Sequence, residues 1–394
     1  MDNASGKRPI IALDHTSWDG NWMNRQHILS RLGERGWPVV YSNGAKFYNE
    51  ISLLKPFGSV EKKDNVAVYH SGFFLPRNYK FKTLDRLAIK QHCKDLKKKA
   101  GLKKGDDFIT FCFHPDFYPY VEELDAPHVM FHIYDLFHKF SNTEKKNSNI
   151  EKLINKADLI TSATEVVWNE TVKTKNLEPN IIYNAVDFSL FSKKSYYKGS
   201  AFNLIEKLPS PRVGYLGALN RKLDFDILDK LANRFPAVQF VMIGPKGTAS
   251  FSKDGALYKA YQSFFAQENV HHVGSIKKEE IPGCIDLMDV TIAPYIMDKS
   301  AWAYAAYPLK INEYLAAGKP VVSASSPSMV QYFDDIVVNC NTADEWEDAL
   351  KDALSGQGKG TFKSRIEFAK SNDWSVRVDK LEKLMFQMLE NKYP

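Results

Sequence analysis

Cysteine is scarce in this sequence, and its copies are scattered. The four cysteines among 394 residues form no CxxC pair, so the sequence favours neither a zinc site nor a disulfide framework. There is no run of about 18 apolar residues, as a spanning helix would need. The polar residues before the first apolar stretch do not have the pattern of a signal peptide. We therefore expect a cytoplasmic protein without a membrane span.

Several catalytic signatures are also missing. There is no P-loop and no GxGxxG, which argues against a kinase, an ATPase or a dehydrogenase. The triplet from Asp224 to Asp226 spells DxD, but it falls inside a predicted helix, where the two carboxylates are poorly placed to share a metal. His128 and His132 lie on a predicted strand without an HExxH context. We therefore predict no metal site.

Positive charge is distributed unevenly. The formal net charge is +6, and residues 1–195 carry the whole excess. Much of it comes from lysines within residues 90–104, namely Lys90, Lys94, Lys97, Lys98, Lys99, Lys103 and Lys104. Two interpretations stay open: a solvated helix face, or a patch that contacts anionic lipid headgroups or an acidic acceptor.

Strands alternate with helices along the whole chain, which predicts an α/β fold with doubly wound parallel sheets. The alternation occurs twice, so we expect two Rossmann-like domains that face a cleft, over residues 1–190 and 200–372. Residues 180–183 are a weak strand candidate, and residues 188–207 look like an interdomain linker. Ligands in such sheets bind beyond the carboxyl ends of the strands.

The most informative segment is residues 307–322. Pro308 is suited to open a helix and Gly318 to end it. Lys310 and Glu313 are three residues apart, so they share one face of that helix. A helix N-terminus with Lys310 can hold a diphosphate, and Glu313 can accept hydrogen bonds from two ribose hydroxyls. The same residues on an exposed helix could also have no function.

This segment resembles the GT-B glycosyltransferases, specifically family 4 and its relatives. The family has two glutamates eight residues apart, then a turn of a small residue, Gly, any residue, Pro, Val and Val. Glu313, Gly318 and Pro320 match the second part, but Ala305 stands where the first glutamate is expected. Retaining members place that glutamate near the donor sugar, so the resemblance slightly favours an inverting enzyme. It also implies a C-terminal helix, residues 373–394, that returns to the first domain.

The resemblance extends to other donor-site positions. The glycine loop after the first donor-domain strand would approach the phosphates, and later loops would read the base. The donor-binding residues that the resemblance implies are Gly217, Arg221, Lys222, Gly244, Ser275, Ile276, Tyr295, Lys310 and Glu313.

In the first half, residues 18–32 resemble bacterial polysaccharide and teichuronic-acid-type transferases. Polar side chains near the predicted cleft are acceptor candidates, or else caps and satisfied polar groups: Asp14, His15, Asp19, His27 and His114. Asp135 ends a strand segment that resembles the xanthan-type glucuronosyltransferases, in which an aspartate acts as general base. It could equally cap the turn that follows.

We therefore predict a metal-independent transferase that moves a sugar from a nucleotide diphosphate, UDP in the first place, to a hydroxyl of a glycan. The acceptor would be a bacterial polysaccharide, lipid-linked at the inner face of the membrane, with residues 90–104 near anionic lipid. No cofactor and no nucleic acid partner are expected. The rivals are a retaining transferase, a sugar-nucleotide 2-epimerase of the same fold, and a non-catalytic basic module that binds nucleic acid or membrane.

Overall fold

The computed structural model describes residues 6–20, 22–50, 57–72, 75–78, 80–140, 144–172, 177–191, 197–252, 255–297 and 304–392. The chain forms two compact units. Unit 1 comprises Met1–Tyr183 and Ser375–Pro394, and unit 2 comprises Asn184–Trp374. The acceptor and donor roles that the sequence suggests for them stay predictions.

Unit 1 is built on a sheet of seven strands within the described residues, in the order β3-β4-β2-β1-β5-β6-β7. Only β3 runs antiparallel to its neighbour, β4. The inner strands β1, β2, β5 and β6 are buried at every position, as expected when helices cover both faces. Their bounds are β1 Ile10–Leu13, β2 Val39–Ser42, β3 Ser59–Lys63, β4 Val66–His70, β5 Ile109–Cys112, β6 His128–Ile133 and β7 Leu159–Ser162.

Helices connect these strands, and the last helix of the chain also belongs mainly to this unit. Trp37 donates its Nε1–H to Glu382 over 2.7 Å, and Arg35 pairs with the same carboxylate at 3.0 Å. The helices are α1 Asn24–Glu34, α2 Lys82–Lys99, α3 Tyr118–Leu124, α4 Phe137–Phe140, α5 Glu144–Lys156, α6 Glu165–Thr171 and, from Ser375 onward, α16 Trp374–Lys392.

Unit 2 has a parallel sheet of six strands among the residues described, in the order β10-β9-β8-β11-β12-β13. The order reverses between β8 and β11, which is the switch point where such sheets bind ligands. The strands are β8 Arg212–Leu216, β9 Gln239–Ile243, β10 Val270–Gly274, β11 Val290–Ala293, β12 Val321–Ala324 and β13 Val338–Cys340. The prediction of two doubly wound parallel-sheet domains is confirmed.

The helices of unit 2 begin with side-chain caps at several places. Asp224, Ser326 and Thr342 each accept a backbone N–H from the first turn of the helix that follows, which satisfies donors that a helix start leaves free. The helices are α7 Phe188–Phe191, α8 Ser200–Glu206, α9 Phe225–Arg234, α10 Ala256–Ala266, α11 Ile281–Asp286, α12 Leu309–Ala316, α13 Pro327–Phe333, α14 Ala343–Leu354 and α15 Phe362–Ser371.

The predicted linker over residues 188–207 is wrong where the structure describes it. Both α7 and α8 lie in this range, and Phe202 and Ile205 are buried in a cluster with Val241 and Met288. The apolar residues of α8 are spaced to pack on the sheet, and this burial outweighs the polar sequence around them. Residues 192–196 lie outside the described part.

The weak strand predicted at residues 180–183 is also wrong. Ile181 forms one isolated bridge to Ser162, and the chain then leaves the sheet at the boundary of the units. The hairpin of β3 and β4 was not predicted. No helix of the described residues is both long and apolar enough to cross a membrane.

Candidate functional site

Glycines bring the strand ends of unit 2 close together. Gly217 and Gly244 follow β8 and β9 with φ of +144° and +139°, a region that side chains disfavour. Gly217 N–H donates to Ile243 over 2.8 Å, and Gly244 N–H donates to Gly274 over 2.8 Å. A Cβ on Gly244 would overlap the Gly217 carbonyl group. Both glycines are therefore required by backbone packing at the switch point.

Lys310 lies in the first turn of α12, beside the end of β8. Its Nζ donates to the Tyr215 hydroxyl over 2.6 Å and lies 3.9 Å from the centre of the Tyr215 ring. The Tyr295 ring centre, just after β11, is 5.2 Å away. Burial lowers the pKa of Lys310 to about 7, against the opposing effect of Glu313. A Cβ on Gly217 would collide with this Nζ, so the missing side chain makes room for the ammonium.

Glu313 lies one turn further along α12 and is half-buried. Among the residues that the structure describes, its carboxylate makes no hydrogen bond and no ion pair. Burial raises its pKa, and the charges of Lys310 and Lys278 act in the opposite direction. Lys278 is itself held by Asp187 at 3.1 Å. Glu313 thus presents acceptor oxygens at the carboxyl end of the sheet.

The remaining predicted donor residues lie on the loops at this edge. Arg221 and Lys222 are exposed in the turn after β8, and Ser275 is exposed after β10. Ile276 packs against the core cluster that includes Met288. Ala305, where the family's first glutamate would stand, is buried at 4% exposure. The structure places these predicted donor-binding residues in one unit, while their roles stay predictions.

In unit 1, Asp14 belongs to a buried ion pair at the end of β1. Its Oδ2 lies 2.7 Å from Arg25 Nε, and the exposure of its side chain is 0%. Thr16 N–H donates to the same carboxylate at 3.1 Å, and the Tyr134 hydroxyl donates at 3.3 Å. These contacts tie Asp14 into the fold of unit 1, and its role as an acceptor residue stays a prediction. Sequence reasoning missed Arg25, which is eleven positions away on α1.

His15, the next residue, is more open. Its Nε2 lies 3.1 Å from Asp116 Oδ2, and its side chain is 46% exposed. A carboxylate can only accept, so Nε2 carries the proton and Nδ1 is the acceptor nitrogen of neutral His15. The ring packs edge-on against His114 at 4.3 Å. Asp116 was missed by the sequence analysis, although it stands only two residues after His114.

His15, His114 and Asp116 also offer ligand atoms that lie within 4.8 Å of one another. A divalent cation needs unprotonated imidazole nitrogens. However, His114 Nδ1 already accepts the Asp116 backbone N–H over 3.2 Å. Neutral His114 therefore has its proton on Nε2, which opposes metal binding. That the sugar transfer needs no metal remains a prediction.

The other candidates in unit 1 have diverse surroundings. Asp135 follows β6, is half-buried, and accepts the Leu136 N–H on Oδ1 over 2.8 Å. Asp19 is exposed and paired with Lys63 at 2.6 Å. His27 is buried on α1, 7% exposed, with Trp22 against its ring at 5.0 Å. Of these three, Asp135 has the position at a strand end that a reacting group would need.

Comparison with known proteins agrees with this geometry. Residues 210–356 match the family model described as "Glycosyl transferases group 1". The chain is 29% identical over 231 residues to "Putative teichuronic acid biosynthesis glycosyltransferase TuaH" of Bacillus subtilis (strain 168), covering 57% of this chain and 55% of that protein. The chain spans about half the length of the curated relatives it matches.

Solved structures match over nearly the whole chain. Sucrose-phosphate synthase from Thermosynechococcus elongatus superposes with a TM-score of 0.72 at 16% identity, covering 98% of this chain and 100% of that one. HepE of Anabaena, solved with UDP and glucose, gives a TM-score of 0.67 at 15% identity, covering 96% and 99%. The chain therefore has the GT-B fold. Within it, residues 210–356 match the model of the glycosyl transferases group 1 family, and the predicted resemblance is confirmed.

Proposed function

We propose that this protein is a glycosyltransferase that moves a sugar from a nucleoside diphosphate to a hydroxyl of a glycan. UDP is the nucleotide that we favour. Unit 2 binds the donor without a metal, and unit 1 binds the acceptor. The group 1 domain match over residues 210–356 supports the donor role of unit 2. The similarity to TuaH supports an acceptor in bacterial polysaccharide synthesis.

The observation that carries this proposal is the pair of Lys310 and Glu313 on α12. Lys310 has tyrosines and no carboxylate as contacts of its Nζ, and the Glu313 carboxylate has no bonded partner within the described residues. A diphosphate supplies the missing negative charge for Lys310. Two ribose hydroxyls supply donors for Glu313, since an ionised carboxylate can only accept. One nucleoside diphosphate therefore satisfies both side chains.

The test is isothermal calorimetry with UDP, GDP and ADP in the presence of EDTA. We expect one of them to bind the wild type, and Glu313→Gln to weaken it about 10- to 100-fold, the loss of a charge-assisted hydrogen-bond pair. Glu268→Gln, an exposed carboxylate of the same unit, is the control and should bind as the wild type does. The proposal fails if no nucleotide binds, and its metal-free part fails if EDTA abolishes binding.

An inverting transfer needs a base that removes the acceptor proton. Asp135 is the base that the sequence suggested, and it lies beyond the end of β6. His15 is a second candidate, since its hydrogen bond to Asp116 fixes the ring with Nδ1 as acceptor. Both follow strands of unit 1 at the edge where α/β sheets bind ligands. We assign the base to Asp135 and make His15 the alternative outcome.

Transfer rates of two variants decide between these residues. Asp135→Asn should lower kcat by about 10²- to 10⁴-fold, the usual contribution of a general base, with UDP affinity unchanged. His15→Gln should change kcat much less. The reverse pattern would move the base to His15. If both variants stay active and the product keeps the donor's anomeric configuration, the transfer is retaining and needs neither residue as base.

The acceptor side is proposed to contact anionic lipid through α2. Lys90, Lys94 and Lys98 recur along its exposed face, and in the described part of the chain none of them has an ion-pair partner. Leu84 and Leu87, near the start of the same helix, are 45% and 47% exposed. Lysines beside exposed leucines suit a surface of anionic headgroups over acyl chains.

Vesicle sedimentation tests this contact. The protein should bind vesicles of phosphatidylcholine with phosphatidylglycerol at low salt, and release at high salt because the interaction is screened. The double variant Lys90→Glu with Lys94→Glu should lose binding. Lys380→Glu, an exposed lysine of α16, should retain it. Equal binding to vesicles of phosphatidylcholine alone would remove the electrostatic part of the proposal.

A further inference from the structure

Lys310 is contacted by two tyrosines and, among the described residues, by no carboxylate. The donor site alone does not explain this arrangement. We propose that Tyr215 and Tyr295 act as positioning residues that hold Lys310 with no acid partner among the described residues, so that a nucleoside diphosphate binds with uptake of one proton by Lys310. This inference rests on the proposed donor function, because it concerns how the donor's charge is met.

The tyrosines form a cage on two sides of the ammonium group. Tyr215, from β8, gives both a hydrogen-bond acceptor at 2.6 Å and a ring centre at 3.9 Å. Tyr295, after β11, gives a second ring at 5.2 Å. Rings and a neutral hydroxyl stabilise a cation less than a carboxylate does, while they exclude the water that would otherwise solvate it. The cage therefore fixes the position of Nζ and disfavours its charged form.

The charged groups around Lys310 do not offset the loss of stability of its charged form. On its own helix, Glu313 favours the charged form but makes no contact with Nζ in the described residues. From the turn after β8, Lys222 disfavours it. Tyr314, one turn further along α12, accepts the Leu216 N–H on its hydroxyl over 2.8 Å. The pKa of Lys310 is accordingly lowered to about 7.

A diphosphate beside Nζ changes this balance, because its negative charge favours the ammonium form. The buffer acid releases a proton, which adds to the lone pair of Nζ, and no bond within the protein's heavy atoms or the nucleotide breaks. At pH 8 most of the free protein has neutral Lys310, so binding takes up close to one proton. Between pH 8 and pH 9 the affinity should then fall about tenfold, as linkage requires for one proton.

The experiment is calorimetry of UDP binding at pH 8 and pH 9, with EDTA, in two buffers of different ionisation enthalpy. At these pH values the phosphates of UDP are already ionised, so proton uptake belongs to the protein. The wild type should take up about one proton at both pH values. Lys310→Arg should bind UDP without uptake, because arginine stays charged. Binding by the wild type without uptake, or equal uptake by Lys310→Arg, would overturn the inference and leave the proposed function intact.

Tyr215→Phe tests the positioning role, since it keeps the ring and removes the hydroxyl. Uptake should persist at pH 8, with weaker UDP binding, and binding should recover toward the wild-type value at pH 6. A merely structural defect would weaken binding equally at both pH values.

A measurement on the free protein separates the two proposals. The ¹³Cε resonance of Lys310, identified by its absence in Lys310→Arg, should titrate near pH 7 in the wild type and at lower pH in Tyr215→Phe. If no UDP, GDP or ADP binds, the donor function and the uptake both fail, whatever the titration gives. A midpoint near that of ordinary lysines overturns the cage even where nucleotide binds.

Discussion

The two units bury charge in opposite ways. In unit 1 the buried Arg25 lies 2.7 Å from the carboxylate of Asp14, which has two further donors from Thr16 and Tyr134. In unit 2 the half-buried Lys310 has, among the described residues, tyrosines and no carboxylate against its Nζ. The first arrangement is complete without a ligand, whereas the second lacks an anion. Arg365 of unit 2 also lacks a carboxylate among the described residues, but its guanidinium donates to backbone carbonyls, including that of Lys359. A missing counter-charge therefore indicates a ligand only where no other polar group replaces it.

Buried neutral groups do not follow this division. In unit 1, His92 contacts the hydroxyls of Ser42 and Ser71, at 2.9 and 3.1 Å. In unit 2, Asn312 is fully buried, and no hydrogen-bond partner for its amide occurs among the described residues. It lies on α12 between Lys310 and Glu313. Unsatisfied polar atoms also occur in unit 1, for example the buried Thr110 hydroxyl, so Asn312 by itself does not mark the donor site.

The largest change in stability should come from removing the carboxylate that pairs with Arg25 in unit 1. Asp14→Ala leaves Arg25 buried without its carboxylate, which should lower the free energy of unfolding by about 3 to 5 kcal/mol. Urea denaturation at pH 7 measures this. Asp19→Ala, in the same loop but exposed and paired with Lys63, is the matched control and should cost less than about 1 kcal/mol. A similar loss from both variants would show that the buried pair has no special weight.

The buried histidines of unit 1 should make its stability depend on acid. Burial lowers the pKa of His132 to about 3. This histidine therefore binds a proton below about pH 6.5 in the unfolded chain, but only near pH 3 in the folded protein. Stability should therefore fall as the pH drops from 6.5 toward 3, by about 2 kcal/mol at pH 5 for this histidine. His132→Gln should give a shallower loss in urea denaturation between pH 7.5 and pH 5. If His132→Gln loses stability with falling pH as steeply as the wild type does, His132 is not a source of the acid dependence.

Removing the charge from unit 2 should have the opposite sign. Lys310→Met deletes a half-buried cation that has no acid partner among the described residues, so we expect about 1 to 2 kcal/mol of added stability near pH 6 to 7. Because the folded pKa of Lys310 is about 7, the gain should shrink as the pH rises from 7 toward 10.5. Lys259→Met, an exposed lysine of the same unit, should show no such trend. A destabilised Lys310→Met would mean that the ammonium is already compensated.

Much of this arrangement was visible in the sequence, and the exceptions have a common cause. Pro308 and Gly318 bound α12 as predicted, because capping and the left-handed φ of +70° at Gly318 are local properties. The approach of Tyr215 to Lys310 across 95 positions depends on which strands are neighbours. The pairing of Arg25 with Asp14 depends on how α1 packs after the end of β1. A single sequence does not specify these contacts. The linker prediction failed for the related reason that α8 gains its stability from a distant core.

The smallest effect on stability should come from the lysines of α2. Lys90→Gln with Lys94→Gln removes two exposed cations that have no ion-pair partner in the described chain, so we expect a change within about 0.5 kcal/mol in urea denaturation. The sign should be neutral or slightly stabilising, because the neighbouring lysines repel one another. A loss above about 1 kcal/mol would show that these side chains pack against the fold. With stability unchanged, any loss of binding to anionic vesicles reports on the surface itself, which separates an exposed charge that serves contact from the buried charge at Lys310.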